Sequence, residues 1–128
     1  MNWDISILKS EDLVSVKTNG SFDFAQIMQM TKETFNAASE NGISKVLGDH
    51  LDLDPNVSIF EIFEIPRELL KEGVKAPEKV AVVYDEASSK AKDFRLFETT
   101  ARNVGMQTQL FTNLEDARAW LEHSKPLA

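Results

Sequence analysis

The sequence predicts an α/β fold: a mostly parallel, mixed sheet of five strands with about four helices, in the order ββαβαβαβα. Three observations carry this expectation. First, Gly42, Gly73 and Gly105 stand at nearly equal intervals, each after a helical pattern and before a strand-like run. Glycine just past a helix end readily takes the left-handed conformation that closes the helix, and a spacing of about 31 residues is the size of a helix-plus-strand crossover unit. Second, the run KVAVVYDE is continuously apolar, as in a central strand covered on both faces. Third, the chain opens with two alternating segments, which read as an antiparallel hairpin at one edge. Strands alternating with helices then imply parallel pairing through right-handed crossovers.

The elements follow in order. WDISILKS and LVSVKTNG form the hairpin. A helix from about Phe22 to Ser39 puts Phe24, Ile27, Met28, Thr31, Phe35 and Ala38 on one stripe. The strand KVLGDHL comes next, then a helix over about Val57 to Lys71 and the strand KVAVVYDE. A third helix over about Ser88 to Val104 turns Phe94, Phe97, Ala101 and Val104 inward. TQLFT is the last strand. NLEDARAWLEH is the last helix, with Asn113 and Asp116 placed like a capping box. SKPLA reads as a loose tail. No linker or shift of composition divides the chain, so residues 1–128 are expected to form a single domain.

Hydrophobic residues make up 42% and charged residues 27%, the balance of a soluble globular protein. Cysteine is absent, which excludes a disulfide framework, a thiolate zinc site and a cysteine nucleophile. The start, MNWDISILKS, lacks the pattern of a signal peptide, and no apolar run approaches the ~18 residues that span a bilayer. The expected location is the cytoplasm. The net charge is −7, with no cluster of Lys and Arg. That argues against nucleic acid and anionic lipid as partners and against stable membrane insertion.

The stretch GDHLDLDPNVSIFEIFEIP, Gly48 to Pro66, holds the densest set of chemical side chains. Asp52, Asp54, Asn56 and Ser58 alternate as in the start of an EF-hand loop. However, Val57 stands where the turn glycine belongs and Phe63 where the bidentate glutamate belongs. The aspartates read instead as turn and cap residues between a strand and a helix. His50 lies beside Asp49, but neighbours on a strand point to opposite faces, which argues against a direct acid–base pair. His123 sits at the end of the last helix, where a cation suits the dipole. Nucleophile elbow, HExxH, Walker and GxGxxG motifs are all missing. The loops beyond the strand ends, DHLDLDPN, DEASSK and TNLED, are rich in carboxylate and poor in Arg and Gly, so they do not suit a nucleotide phosphate. The expectation is a protein with no enzymatic activity, cofactor or metal.

With this order of elements, the chain resembles the SpoIIAA-like, STAS/SEC14-type family of small bacterial proteins. The residues that carry the resemblance are VLGDHLDL, KVAVVYDE, FRLFETTARNVGMQTQLFTN and especially LFTNLEDARAWLEH, with Ala117, Trp120 and Leu121. It covers nearly the whole chain and consists of packing motifs. It implies a small regulatory or interaction domain. The family's anti-sigma-factor antagonists switch by phosphorylation of a serine at the start of the helix after the third strand. Ser58 is the nearest hydroxyl by position, although the surrounding motif here is DLDPNVSIF. The family's lipid carriers enclose a larger apolar cavity than a chain of this length easily holds.

The helix after Val57 is unusually greasy. Ile59, Phe60, Ile62, Phe63, Ile65, Pro66, Leu69 and Leu70 occupy an arc of roughly 220° at ~100° per residue. A helix on a sheet needs an apolar stripe of only ~100° or somewhat more. Pro66, lacking a backbone donor, is placed to bend or end a first segment. The excess of apolar side chains either is buried more deeply between the sheet and neighbouring helices or marks a partner or ligand surface at Ile59, Phe60, Ile62, Phe63 and Leu70. Its occupant is a second copy in a homodimer or another protein. The alternative is an apolar, lipid-like ligand held under the same helix.

Overall fold

Residues 2–123 are described by a computed structural model. The hairpin is formed by β1 (Trp3–Leu8) and β2 (Leu13–Phe22), joined by a short 3-10 turn at Lys9–Glu11. Then come α1 (Phe24–Glu40), β3 (Lys45–Pro55), α2 (Ile59–Lys71), β4 (Lys79–Val83), α3 (Ala91–Asn103), β5 (Thr108–Phe111) and α4 (Leu114–Glu122). The order is the expected ββαβαβαβα. The SKPLA segment lies outside the described residues.

The sheet runs β1-β2-β3-β4-β5. β1 pairs antiparallel with β2, and every later pair is parallel. Successive parallel strands lie side by side, so crossovers of one hand carry their helices over the same face. Val14, Val16, Val46, Val80 and Val82 of that face pack with Ile27 and Phe35 of α1, Ile65 and Leu69 of α2, and Phe94 and Ala101 of α3. After β5 the chain turns under the sheet. There α4 sets Ala117 and Leu121 against Leu13, Leu47, Ala81 and Val83. β4 is therefore enclosed on both sides, and Val80 to Tyr84 are all buried, as the unbroken apolar run anticipated.

Local chemistry sets most element ends. Gly42, Gly73 and Gly105 have φ of 67°, 76° and 92°, the left-handed conformation expected past helix ends. Asp12 also sits at positive φ, 54°, and its carboxylate takes the Ser44 amide at 2.8 Å and the Ser44 hydroxyl. That contact ties the hairpin turn to the loop before β3. α1 begins at Phe24 rather than Phe22 because Asp23 and Gln26 form a capping box. α3 begins at Ala91 rather than Ser88. Ser88 belongs to the preceding turn, where its amide bonds the Asp85 carbonyl and its hydroxyl accepts from the Lys90 amide. In α1 the expected stripe is shifted slightly: Met30 and Thr34 are buried, whereas Phe24 and Thr31 are half-buried. Asn113 caps α4 by accepting from the Asp116 amide at 2.8 Å.

The largest correction concerns the aspartates. β3 does not end at Leu51 but continues to Pro55, so Asp52 and Asp54 are strand residues, not turn and cap residues. Asp52 pairs in register with Asn19, and Asp54 with Ser21. Their side chains point to water and meet cations. Lys17 Nζ lies 4.0 Å from Asp52, and Lys90 Nζ lies 3.0 Å from Asp54 while donating to the Pro55 carbonyl at 2.6 Å. Leu53 and Pro55 face inward. Where β3 passes Thr18 the register slips: Lys17 pairs with Asp49 but Asn19 pairs with Asp52. His50 and Leu51 together oppose Thr18, a bulge that resets which residues face the core.

Candidate functional site

α2 lies between α1 and α3, and its two sides meet different surroundings. The capping box expected of good helix starts is present: Ser58 Oγ accepts from the Glu61 amide at 3.1 Å, and the Ser58 amide donates to Glu61 Oε1 at 3.0 Å. Ser58 is thus occupied in holding the helix start, with the Glu61 carboxylate beside it. The helix continues unbroken through Pro66 to Lys71. Ile62, Ile65, Pro66 and Leu69 face inward and are buried.

Ile59 is 65% exposed, Phe60 71%, Phe63 41% and Leu70 46%. Four of the five surface residues expected from the sequence therefore stand open. Ile62, at 2%, does not; the 3.6-residue period places it with Ile65 and Leu69 on the inner side. The outward row runs Phe60, Phe63, Arg67, Leu70, a 3-4-3 spacing that forms one stripe along a helix.

Beneath α2 is a cavity of ≈ 90 Å³. Its walls come from the sheet (Val46, Val82), from α2 (Ile62, Ile65) and from α3 (Phe94, Phe97). Four polar side chains interrupt this apolar lining: Thr31, Thr34, His50 and Asp93. Thr34 is satisfied by the Met30 carbonyl at 2.8 Å.

Alternation along β3 puts His50 on this inner face with Val46 and Gly48, and the bulge brings Leu53 and Pro55 to the same face. His50 Nδ1 lies 2.7 Å from Thr18 Oγ1, and that hydroxyl also reaches the Asp49 carbonyl at 3.4 Å. The ring folds over Gly48 so closely that a Cβ there would come within 2.5 Å of Nε2. Burial pushes the His50 pKa down to about 4, against a smaller upward pull from the Asp49 carboxylate. At neutral pH the ring is uncharged. Asp49 itself lies on the other face of the sheet, where its carboxylate meets Lys17 Nζ at 3.4 Å. The alternation argument against an Asp49–His50 acid–base pair therefore holds in the geometry. Burial of His50 beside a cavity was not legible in the sequence. The nearest signal was a glycine two residues before a histidine on one strand face.

Among the described residues, no group of three or more His, Cys, Asp or Glu side chains is placed to hold a metal ion. Asp52 and Asp54 are ion-paired separately to Lys17 and Lys90. No helix among the described residues is long and apolar enough to cross a membrane.

These features define a small α/β scaffold with a hairpin edge, three helices on one face, and a capped helix exposing rings above an apolar cavity. No family model matches the chain, and no curated protein matches it significantly. Among solved structures it is similar to an uncharacterised protein of the DUF3478 family with a SpoIIAA-like fold from Shewanella loihica PV-4. The TM-score is 0.59 at 23% identity, over 94% of this chain and 93% of that one. The chain has a SpoIIAA-like fold, as its packing motifs suggested.

Proposed function

We propose that the chain, acting as one domain, is a non-enzymatic regulatory or interaction module of the cytoplasm, and that it pairs with a second copy of itself through α2. The observation that carries this reading is the exposed row of Phe60, Phe63 and Leu70. It is apolar, regular in spacing, and unlike the isolated surface hydrophobics of an ordinary monomer. The row also favours a twofold partner. Antiparallel pairing of two α2 helices sets Phe60 against Leu70 and brings Glu64 of each copy to Arg67 of the other. Among the described residues of the single chain, neither Glu64 nor Arg67 has a side-chain partner. A twofold contact of this kind is self-complementary.

Burial of two aromatic side chains supplies ~3–6 kcal/mol before the costs of association. A weak dimer is expected, with a dissociation constant on the order of 1 mM. Light scattering over a concentration series tests this. Phe60→Asp with Phe63→Asp should leave a folded monomer at every concentration. Arg67→Glu should weaken pairing, and adding Glu64→Arg to it should restore pairing, because the swapped charges still complement across the twofold axis. A wild-type chain that stays monomeric to about 1 mM ends this reading.

The cavity beneath the same helix favours a second reading, a carrier of an apolar ligand. Native mass spectrometry of freshly purified protein tests it. Retained ligand mass supports the carrier, and its repeated absence counts against it.

A further inference from the structure

The cavity under α2 is not uniformly greasy, and His50 is the one ring among its four polar lining side chains. His50 is 8% exposed and lines the cavity wall. Its Nδ1 is engaged by Thr18, but its Nε2 has no protein partner among the described residues. Nε2 lies over Gly48, in space that a Cβ would occupy, and Gly48 lines the same cavity. Among the described residues no fully buried side-chain nitrogen or oxygen lacks a partner, so Nε2 keeps access to the cavity.

The hydrogen-bond network sets what this nitrogen offers. Thr18 has one hydroxyl proton and two acceptors in reach, the Asp49 carbonyl at 3.4 Å and His50 Nδ1 at 2.7 Å. Given to Asp49, that proton leaves Thr18 Oγ1 to accept from His50 Nδ1–H. In that tautomer Nε2 of the neutral ring is a bare acceptor. Asp93 on the wall adds negative character, and among the described residues no Lys or Arg lines the cavity. Carboxylate and phosphate ligands are therefore disfavoured. The volume of ≈ 90 Å³ is somewhat below the ~150 Å³ of an apolar cavity that takes up a six-carbon ring, so the occupant is compact. A full fatty acyl chain does not fit.

We propose that this cavity is a binding site for a small, neutral, mostly apolar molecule carrying one hydrogen-bond donor, which it gives to His50 Nε2. Compact alcohols of five or six non-hydrogen atoms are the class. The inference shares its location with the carrier reading but replaces a lipid by a small hydroxyl compound, and it does not depend on self-association.

The test compares two probes of equal size, cyclopentanol and cyclopentanone. Only the alcohol can donate. Each is titrated into the full chain while the amides of Val46, Gly48 and Ile62 and the His50 ring nitrogens are followed by NMR. The alcohol should shift these amides saturably, move the Nε2 resonance as a newly hydrogen-bonded acceptor, and bind about ten-fold more tightly than the ketone. His50→Leu should erase the preference. Should that variant fail to fold, the Nε2 shift in the wild-type chain decides alone. Equal binding of the two probes overturns the hydrogen-bond assignment while leaving an apolar carrier standing. No response from the cavity amides to either probe overturns both.

Discussion

At the scale of single residues, His50 and Asp12 set two separate pH windows for stability. His50 has a folded pKa of about 4 against an ordinary 6.5. The unfolded chain takes up this proton first as pH falls, so the native state loses stability between pH 6.5 and about 4. The full loss is about 3 kcal/mol. Urea unfolding at pH 7 and pH 5 should show the native state weaker at pH 5, and His50→Gln should flatten that difference. An unchanged slope in the variant removes His50 as its source. Asp12 acts lower. Burial raises its carboxyl, but the Ser44 hydroxyl and amide, with help from Lys45, outweigh that and hold it below the usual 3.8. Its stabilisation is complete above that value and disappears only at stronger acidity. Neither role was readable from residue type. The sequence placed His50 on a strand face opposite Asp49, which is correct. Its partner Thr18 is 32 positions away, and pairing at that distance follows from strand register, not from local pattern.

At the scale of elements, the parts written in local chemistry were legible. Capping and glycine closure act over one turn, so Gly42, Gly73, Gly105 and Asn113 marked the helix ends within a few residues. The end of β3 was missed for a physical reason. LDLDP alternates apolar and polar as an exposed-edged strand should, but aspartate and proline are also the commonest turn formers. The strand wins because Lys17 and Lys90, distant in sequence, neutralise the carboxylates, and because Leu53 and Pro55 close the cavity from that side. The width of the α2 apolar arc was legible as well; the division of that arc between cavity and solvent was not. The helix start gives a direct prediction. Ser58→Ala removes an acceptor from the Glu61 amide and should cost about 1 kcal/mol in urea unfolding. Ser58→Asp keeps an acceptor at the same place and should lie within a few tenths of a kcal/mol of wild type. If Ser58→Asp is as unstable as Ser58→Ala, the cap hydrogen bond is not what holds this end.

At the scale of the whole molecule, the question is where one copy can meet another. A sheet offers its edges first, since unpaired strand groups invite a further strand. Here the β5 edge is blunted. The strand has four residues, and α3 covers it: Arg102 Nε donates to the Thr108 carbonyl at 2.6 Å, and Glu98 accepts from the Leu110 amide at 2.9 Å. The far face of the sheet carries α4. In the proposed dimer the α2 row is the meeting place, and it must work against a net charge of −7 on each copy. Two forces then respond oppositely to salt. Raising ionic strength from about 20 mM to about 500 mM shortens the screening length from roughly 20 Å to roughly 4 Å. That removes most of the long-range repulsion between copies and leaves apolar burial intact. It also weakens the two Glu64–Arg67 pairs, which are worth little when exposed to solvent. If the rings carry the contact, sedimentation equilibrium should show pairing tighten several-fold with salt. Pairing that instead loosens with salt would mean that charge pairs hold the copies together, and the aromatic row would lose its role as the driving surface.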